Sequence, residues 1–316
     1  MTTLGWQPTV EEAHRVLGDL RSRFIRSFLR RAEPWRTSGV IDTEPPDAQR
    51  LTQIVEEPAL FEFYFDAIEG QITIPWSTLS SLAEDSRRRR EAALESGLWC
   101  VDLDLPQPLV ASTEARLYQA AACQGMGDAW SRVRALETTP PDDREALRGA
   151  WTLLQQLWPE ASHEIASTVR RCVFVESEGT VGAADFTFHG TVFIRSGIAS
   201  RGVGFMLEEL VHEAAHIYLN ALFTLYAPLY LNPESQKIEG TPLRPDPRPM
   251  FGLLHQVFVL RRLVELYDRI EKYGALAPEA RPHRETLQSA LADGQRVLRR
   301  HARPSPHGEA LFESLQ

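Results

Sequence analysis

The chain has 316 residues, 43% hydrophobic and 24% charged, which allows one large domain or two modest ones around a substantial core. Its net charge of −9 argues against nucleic acid or an anionic membrane as a partner, because both reward clustered Lys and Arg. No apolar run approaches the roughly 18 residues of a membrane span, so a soluble protein is expected.

The opening stretch, "MTTLGWQPTVEEAHRVLGDLRSRF", lacks the basic start, apolar middle and small-residue cleavage site of a secretory signal, and a cytoplasmic location is expected. Residues 8–32 read as an amphipathic helix, with Val10, Ala13, Val16, Leu17, Leu20, Phe24 and Phe28 at three- and four-residue steps. Residues 47–69, 78–97, 112–136 and 142–157 carry the same periodicity and are separated by the proline-bearing breaks "EPPD", "ITIP", "LPQP" and "TTPPDD". Within the second of these, "EDSRRRREAALE" interleaves basic and acidic residues, as an exposed charged helix face does. The three cysteines, Cys100, Cys123 and Cys172, are odd in number and far apart, which suits buried thiols better than a disulfide framework or a metal knuckle.

The character changes after residue 165. "TVRRCVFVES" and "ADFTFHGTVFIRS" alternate in polarity, are rich in β-branched and aromatic residues, and predict two or three short strands between 168 and 196, broken at Gly179, Gly182 and Gly190. The expected fold is therefore mainly α with a small β-sheet, an α+β chain. A helical N-terminal region, 1–165, precedes a metal-site region, 166–316, and the two can form one continuous domain.

A helix is expected from Val203 to Tyr226, ended by Pro228. It is apolar around most of its circumference, except for a stripe of Glu209, His212, Glu213, His216 and Asn220. His212 and His216 are one helical turn apart, so their imidazoles stack on one face within reach of one metal ion. The HExxH spacing supplies two neutral nitrogen ligands and, in Glu213, a carboxylate able to act as a base.

Two histidines rarely hold a metal alone. The extended form HExxHxxGxxH fails, because Leu219 and Leu222 occupy the Gly and His positions. Candidates for the third ligand are Glu234, Glu239, His255 and Glu265. His255 lies where helical periodicity resumes after Pro249, among Phe251, Leu254, Phe258 and Val259; Glu239, some twenty residues past His216, is its main rival in a thermolysin-like arrangement. Between them runs "EGTPLRPDPRPMFG", a loop stiffened by four prolines that can hold Arg244, Asp246 and Arg248 with little freedom. Either arginine could fork onto the carboxylate of a bound anion.

"LVHEAAHIYLNAL" followed by "TPLRPDPRPMFGLLHQVFVLRR" resembles the HExxH-motif family found beside ribosomal peptide natural-product genes, whose studied members are 2-oxoglutarate-dependent peptide β-hydroxylases. The resemblance is concentrated in residues 190–265, and Gln256 stands where the family leads one to expect Gly after that His. It implies Fe(II) in place of Zn, held by His212, His216 and His255, with 2-oxoglutarate and O2 as cosubstrates, Arg248 or Arg244 on the distal carboxylate, and a precursor peptide as substrate. Imidazole ligands suit both metals, so ligand type does not choose between them.

Three functions compete. An Fe(II)/2-oxoglutarate peptide hydroxylase is favoured. A zinc metallopeptidase or related hydrolase, with Glu213 as general base and Glu239 as a possible ligand, is the alternative. The third is a non-catalytic member that binds peptide and keeps the motif for structure. An exposed strand edge before the motif helix would suit an extended peptide.

Overall fold

The computed structural model describes residues 4–44, 46–70, 74–95, 101–123, 133–179, 181–273 and 281–316. The elements in chain order are α1 (Val10–Thr37), α2 (Ala48–Ile54), α3 (Pro58–Glu69), α4 (Trp76–Glu95), α5 (Gln107–Cys123), β1 (Arg134–Ala135), α6 (Pro141–Leu157), α7 (Pro159–Thr168), β2 (Arg171–Glu176), β3 (Gly182–Ala183) and β4 (Thr191–Arg195). After these come α8 (Val203–Tyr226), α9 (Met250–Lys272), α10 (Arg281–His301) and α11 (Glu309–Ser314). The chain is mainly helical with one small sheet, the fold class expected from the sequence. None of the described helices is long and apolar enough to cross a membrane.

Two expected helices are corrected. The run 47–69 is two helices, because Pro58 has no N–H to give and its ring would strike the preceding turn. Pro58 instead opens α3 at a position that tolerates it, with Glu57 capping the helix by accepting from the Ala59 N–H at 3.3 Å. The run 112–136 starts earlier, at Gln107, and does not persist to its expected end: Arg134 and Ala135 form β1. Pairing with Glu176 and Val175 of β2 overrides the local helical pattern there, reinforced by an Arg134–Glu176 ion pair at 2.8 Å. Among the described residues the strands between 168 and 196 number three, and the sheet has the order β1-β2-β4-β3. Its central pair is parallel, with Val173 opposite Phe193, while β3 runs antiparallel along one edge. Cys172, on β2, is buried and free; Cys100 lies outside the described residues.

The chain forms two compact units, both discontinuous in sequence. One comprises Leu17–Thr152 and Ile165–Ile217. Its core joins aromatic side chains of α1, α3 and α4 to the sheet: Phe24 stacks on Phe61 with centroids 4.2 Å apart, Phe28 meets Trp76 at 5.2 Å, and Val173, Val175 and Phe193 continue the cluster. Such rings bury large areas and add about 0.5–1.5 kcal/mol per well-placed pair.

The other unit comprises Met1–Val16, Leu153–Glu164 and Tyr218–Gln316. Here α9 packs on α10 so closely that a Cβ on Gly294 would stand 2.9 Å from Val257. Arg262 is buried within this unit. It forks onto both oxygens of Glu164, donates from Nε to the Trp6 carbonyl at 3.1 Å, and lies over the rings of Phe258 and Tyr218.

Candidate metal site on the motif helix

The start of α8 is positioned by α6. Asp143, buried in the first turn of α6, accepts from the Ser196 hydroxyl at 2.6 Å and from the Gly197 N–H at 3.1 Å, anchoring the turn that leaves β4. Gly197 has φ of 81°, a conformation in which a side chain would be strained. Two turns further along α6, Gly149 leaves room for Val203, whose Cγ2 would be 3.2 Å from a Cβ there. From this anchored start α8 proceeds with Met206, Leu207, Leu210, Val211, Ala214 and Ala215 all buried, which directs its polar stripe to the remaining arc.

On that arc the rings of His212 and His216 have centroids 5.1 Å apart, inclined at 53°. Both are half-buried, in contrast to the apolar residues between them. The Glu213 Oε1 atom lies 3.9 Å from His212 Nε2. Glu213 is 3% exposed and its Oε2 is buried with no hydrogen-bond partner among the described residues. Burial, with the charge of Glu209 added, holds its pKa well above the ordinary carboxylate range. Burial and neighbouring Glu208 push Glu209 up to about 7, against the opposing pull of Arg201 and Arg195.

Strand β3 crosses close to this stripe at Gly182. A Cβ there would lie 2.6 Å from Glu213 Oε1 and 2.8 Å from Glu209 Oε2, so only glycine lets the strand backbone approach both carboxyl groups. The sequence marked Gly182 as a strand break and gave Glu209 no role. The four-residue step from Glu209 to Glu213, which places both on one helix face, was the available signal.

In the other unit, His255 is 8% exposed and held between aromatic rings, parallel to Phe223 at 5.7 Å and inclined to Phe251 at 4.3 Å. Burial pushes its pKa down to about 3, which keeps the imidazole in the neutral form that metals bind. Phe223 itself is seven residues past His216, two turns along α8. Glu239 is turned to the surface, with Arg300 at 2.7 Å and His301 at 3.4 Å. Glu265 pairs with Arg269 at 2.9 Å, and Glu234 is exposed. Arg244 is exposed and Arg248 half-buried.

Among the described residues, no group of three or more His, Cys, Asp or Glu side chains is gathered tightly enough to hold a metal ion. The helix supplies a pair of imidazoles beside a buried carboxyl oxygen that lacks a partner, a donor set whose chemistry suits Fe(II) or Zn(II). No family model matches the chain, and no curated protein matches it.

Proposed function

We propose that the protein is an Fe(II)- and 2-oxoglutarate-dependent hydroxylase acting on the side-chain β-carbon of a residue in a ribosomally made precursor peptide. The observation that supports this most is the His212–His216 pair, one turn apart on α8 with its ring centroids at 5.1 Å, beside a buried and uncompensated Glu213. In this reading His212 and His216 would hold the iron as neutral imidazoles, and His255, which burial keeps in that form, is the third ligand that the family resemblance implies. Iron, 2-oxoglutarate and O2 together supply an oxidant strong enough to convert C–H to C–OH. Arg248, with Arg244 nearby, neutralises the distal carboxylate of 2-oxoglutarate. Glu213 orients His212 or ligates beside it. The edge strand β3 passes close to the stripe at Gly182, so a peptide bound beside this strand would lie near the metal.

Anaerobic reconstitution with Fe(II) followed by 2-oxoglutarate tests the reading. A metal-to-ligand charge-transfer band is expected, and admission of O2 with a candidate peptide should yield succinate and a peptide heavier by one oxygen. Absence of the band, with no succinate formed, overturns it.

One observation favours the zinc hydrolase as the second reading: Glu213 Oε1 at 3.9 Å from His212 Nε2 is placed as a general base would be. Zn-dependent cleavage of peptide, abolished by Glu213→Gln, would select it. The exposure of Glu239 and its pairing with Arg300 weigh against the thermolysin-like form of that reading.

A further inference from the structure

Between Leu20 and Ala32 the middle of α1 carries five arginines and no Asp or Glu, in a chain whose net charge is −9. Arg21 turns to Glu56 at 2.6 Å. Arg23, Arg26 and Arg30, at steps of three and four residues, are exposed on one helix face. Several exposed arginines elsewhere have a carboxylate partner: Arg148 meets Glu145 at 2.6 Å, Arg296 meets Asp293 at 2.8 Å and Arg300 meets Glu239 at 2.7 Å. Arg26 and Arg30 have no carboxylate within ion-pair distance among the described residues. They lie more than a turn from either end of α1, where its macrodipole gives them no compensation, and as like charges four residues apart they repel each other.

Beside this face an aromatic series begins. Arg31 lies over the Tyr64 ring at 5.5 Å, and the Tyr64 hydroxyl is 2.6 Å from that of Ser27. Tyr64 meets Phe65 edge-on at 5.6 Å, and Phe65 meets Phe186 at 5.3 Å. The three rings are half-buried, and Ile68, one turn along α3 from them, is 48% exposed. Phe186 stands three residues past Ala183, the end of β3, the strand that approaches Glu213 through Gly182. The arginine face, the rings, β3 and the His212–His216 pair all belong to one compact unit.

These dimensions fit an extended peptide. Arg26 and Arg30 are about 6 Å apart along the helix axis, near the ~6.7 Å between same-side residues of an extended chain. About five residues of such a chain span the contacts from Arg31 to Phe186. Acidic side chains at alternate positions would meet the guanidinium groups, and apolar ones would rest on the rings. A long polyanion such as nucleic acid would also meet the surplus acid of the rest of the chain, which a short acidic segment avoids.

We propose that the arginine face of α1 and the ring series from Tyr64 to Phe186 form a docking track for an acidic segment of a peptide, bound at a distance from the motif stripe. That this peptide is the substrate rests on the peptide-modifying reading. Selection of the peptide is then made by residues other than the one that reaches the motif helix.

Fluorescence anisotropy of the full chain, metal-free and with Fe(II), tests the track. The probes are a labelled peptide with alternating Glu at one end and leucines beyond it, the same peptide with Gln or Lys in place of Glu, and an oligouridylate of equal length. The Glu peptide should bind. Gln in the probe, or Arg26→Gln with Arg30→Gln in the protein, should each weaken binding about tenfold, as the loss of two exposed ion pairs allows. The two losses should not add, since each removes the same pairs. Arg26→Glu with Arg30→Glu should prefer the Lys peptide, a reversal that a purely structural role of these arginines does not produce. Ile68→Ser should weaken the Glu and Gln peptides alike, by about fivefold. Unchanged melting temperatures confirm folding of each variant. No binding of the Glu peptide by the parent, equal affinity for the Glu and Gln peptides, or tighter binding of oligouridylate overturns the inference. Binding that depends on Arg26 and Arg30 in a protein that never converts 2-oxoglutarate upholds the track and removes the hydroxylase. Turnover of 2-oxoglutarate with peptide affinity indifferent to both arginines removes the track alone.

Discussion

Two groups of buried acids in the same compact unit are treated in opposite ways. Around α3, Glu57, Glu62 and Asp66 are all at least nine-tenths buried, and two arginines enter with them: Arg171 onto Glu57 and Arg116 onto Asp66. On α8, Glu209 and Glu213 are buried to the same degree, yet among the described residues no Lys or Arg forms an ion pair with either. The first group is charge compensated within the chain, and its work is to bind α3 and α5 to the sheet. The second has its own like charge and two imidazoles beside it, and Arg195 and Arg201 act on Glu209 without pairing with it, an arrangement that a cation from outside the chain would relieve.

The largest test of this contrast removes one partner from the compensated group. Arg171→Met should strand Glu57 at the α3 cap and cost about 3–5 kcal/mol in urea unfolding, whereas Glu213→Gln in metal-free protein should change stability by no more than about 1 kcal/mol or raise it. Equal losses in both variants would erase the distinction.

Next in size is the metal itself. His212→Ala and His216→Ala should each weaken Fe(II) binding by about a hundredfold, or roughly 2.7 kcal/mol, without loss of helical circular dichroism. Elemental analysis after buffer exchange measures it; full occupancy in both variants would remove the cation from the account of α8.

The smallest effect sharpens the compensated side. With three acids against two arginines there, one carboxyl is left over, and burial pushes Glu62 up to about 7. A group whose pKa is higher folded than unfolded contributes stability below its unfolded value, near 4.5, and that contribution is lost as pH rises through 7. Glu62→Gln should therefore flatten the stability profile between pH 5 and 8 by roughly 2 kcal/mol relative to the parent, read from urea midpoints across that range. A parent profile already flat in this window would mean that Glu62 is ionised and compensated like its neighbours.

What the sequence made legible follows the range over which each feature is decided. The bounds of α8 were readable because an apolar 3.6-residue pattern and Pro228 are both local, and the HExxH spacing fixes the faces of His212 and His216 without reference to any other element. The division at Pro58 was equally local and was passed over. β1 was hidden, since Arg134 and Ala135 are strand only by virtue of β2, forty residues on. The approach of Gly182 to the stripe and the hydrogen bond from the Gln256 amide to the Thr241 hydroxyl depend on the same long-range placement. Gln256 drew attention in the sequence only as a departure from a pattern, and its partner gave no signal.

The Arg262 fork has a consequence for how the protein is made. Trp6 leaves the ribosome 256 residues ahead of the guanidinium that its carbonyl accepts from. At synthesis rates of roughly 5–20 residues per second, that interval is on the order of ten to fifty seconds. Throughout it Glu164, once emerged, is an acid awaiting its counter-charge, and the indole of Trp6 has yet to meet Arg261, whose guanidinium lies 3.9 Å from the ring centroid. That unit is therefore completed late in translation, and during the delay the nascent chain exposes aromatic surface of the kind that chaperones hold.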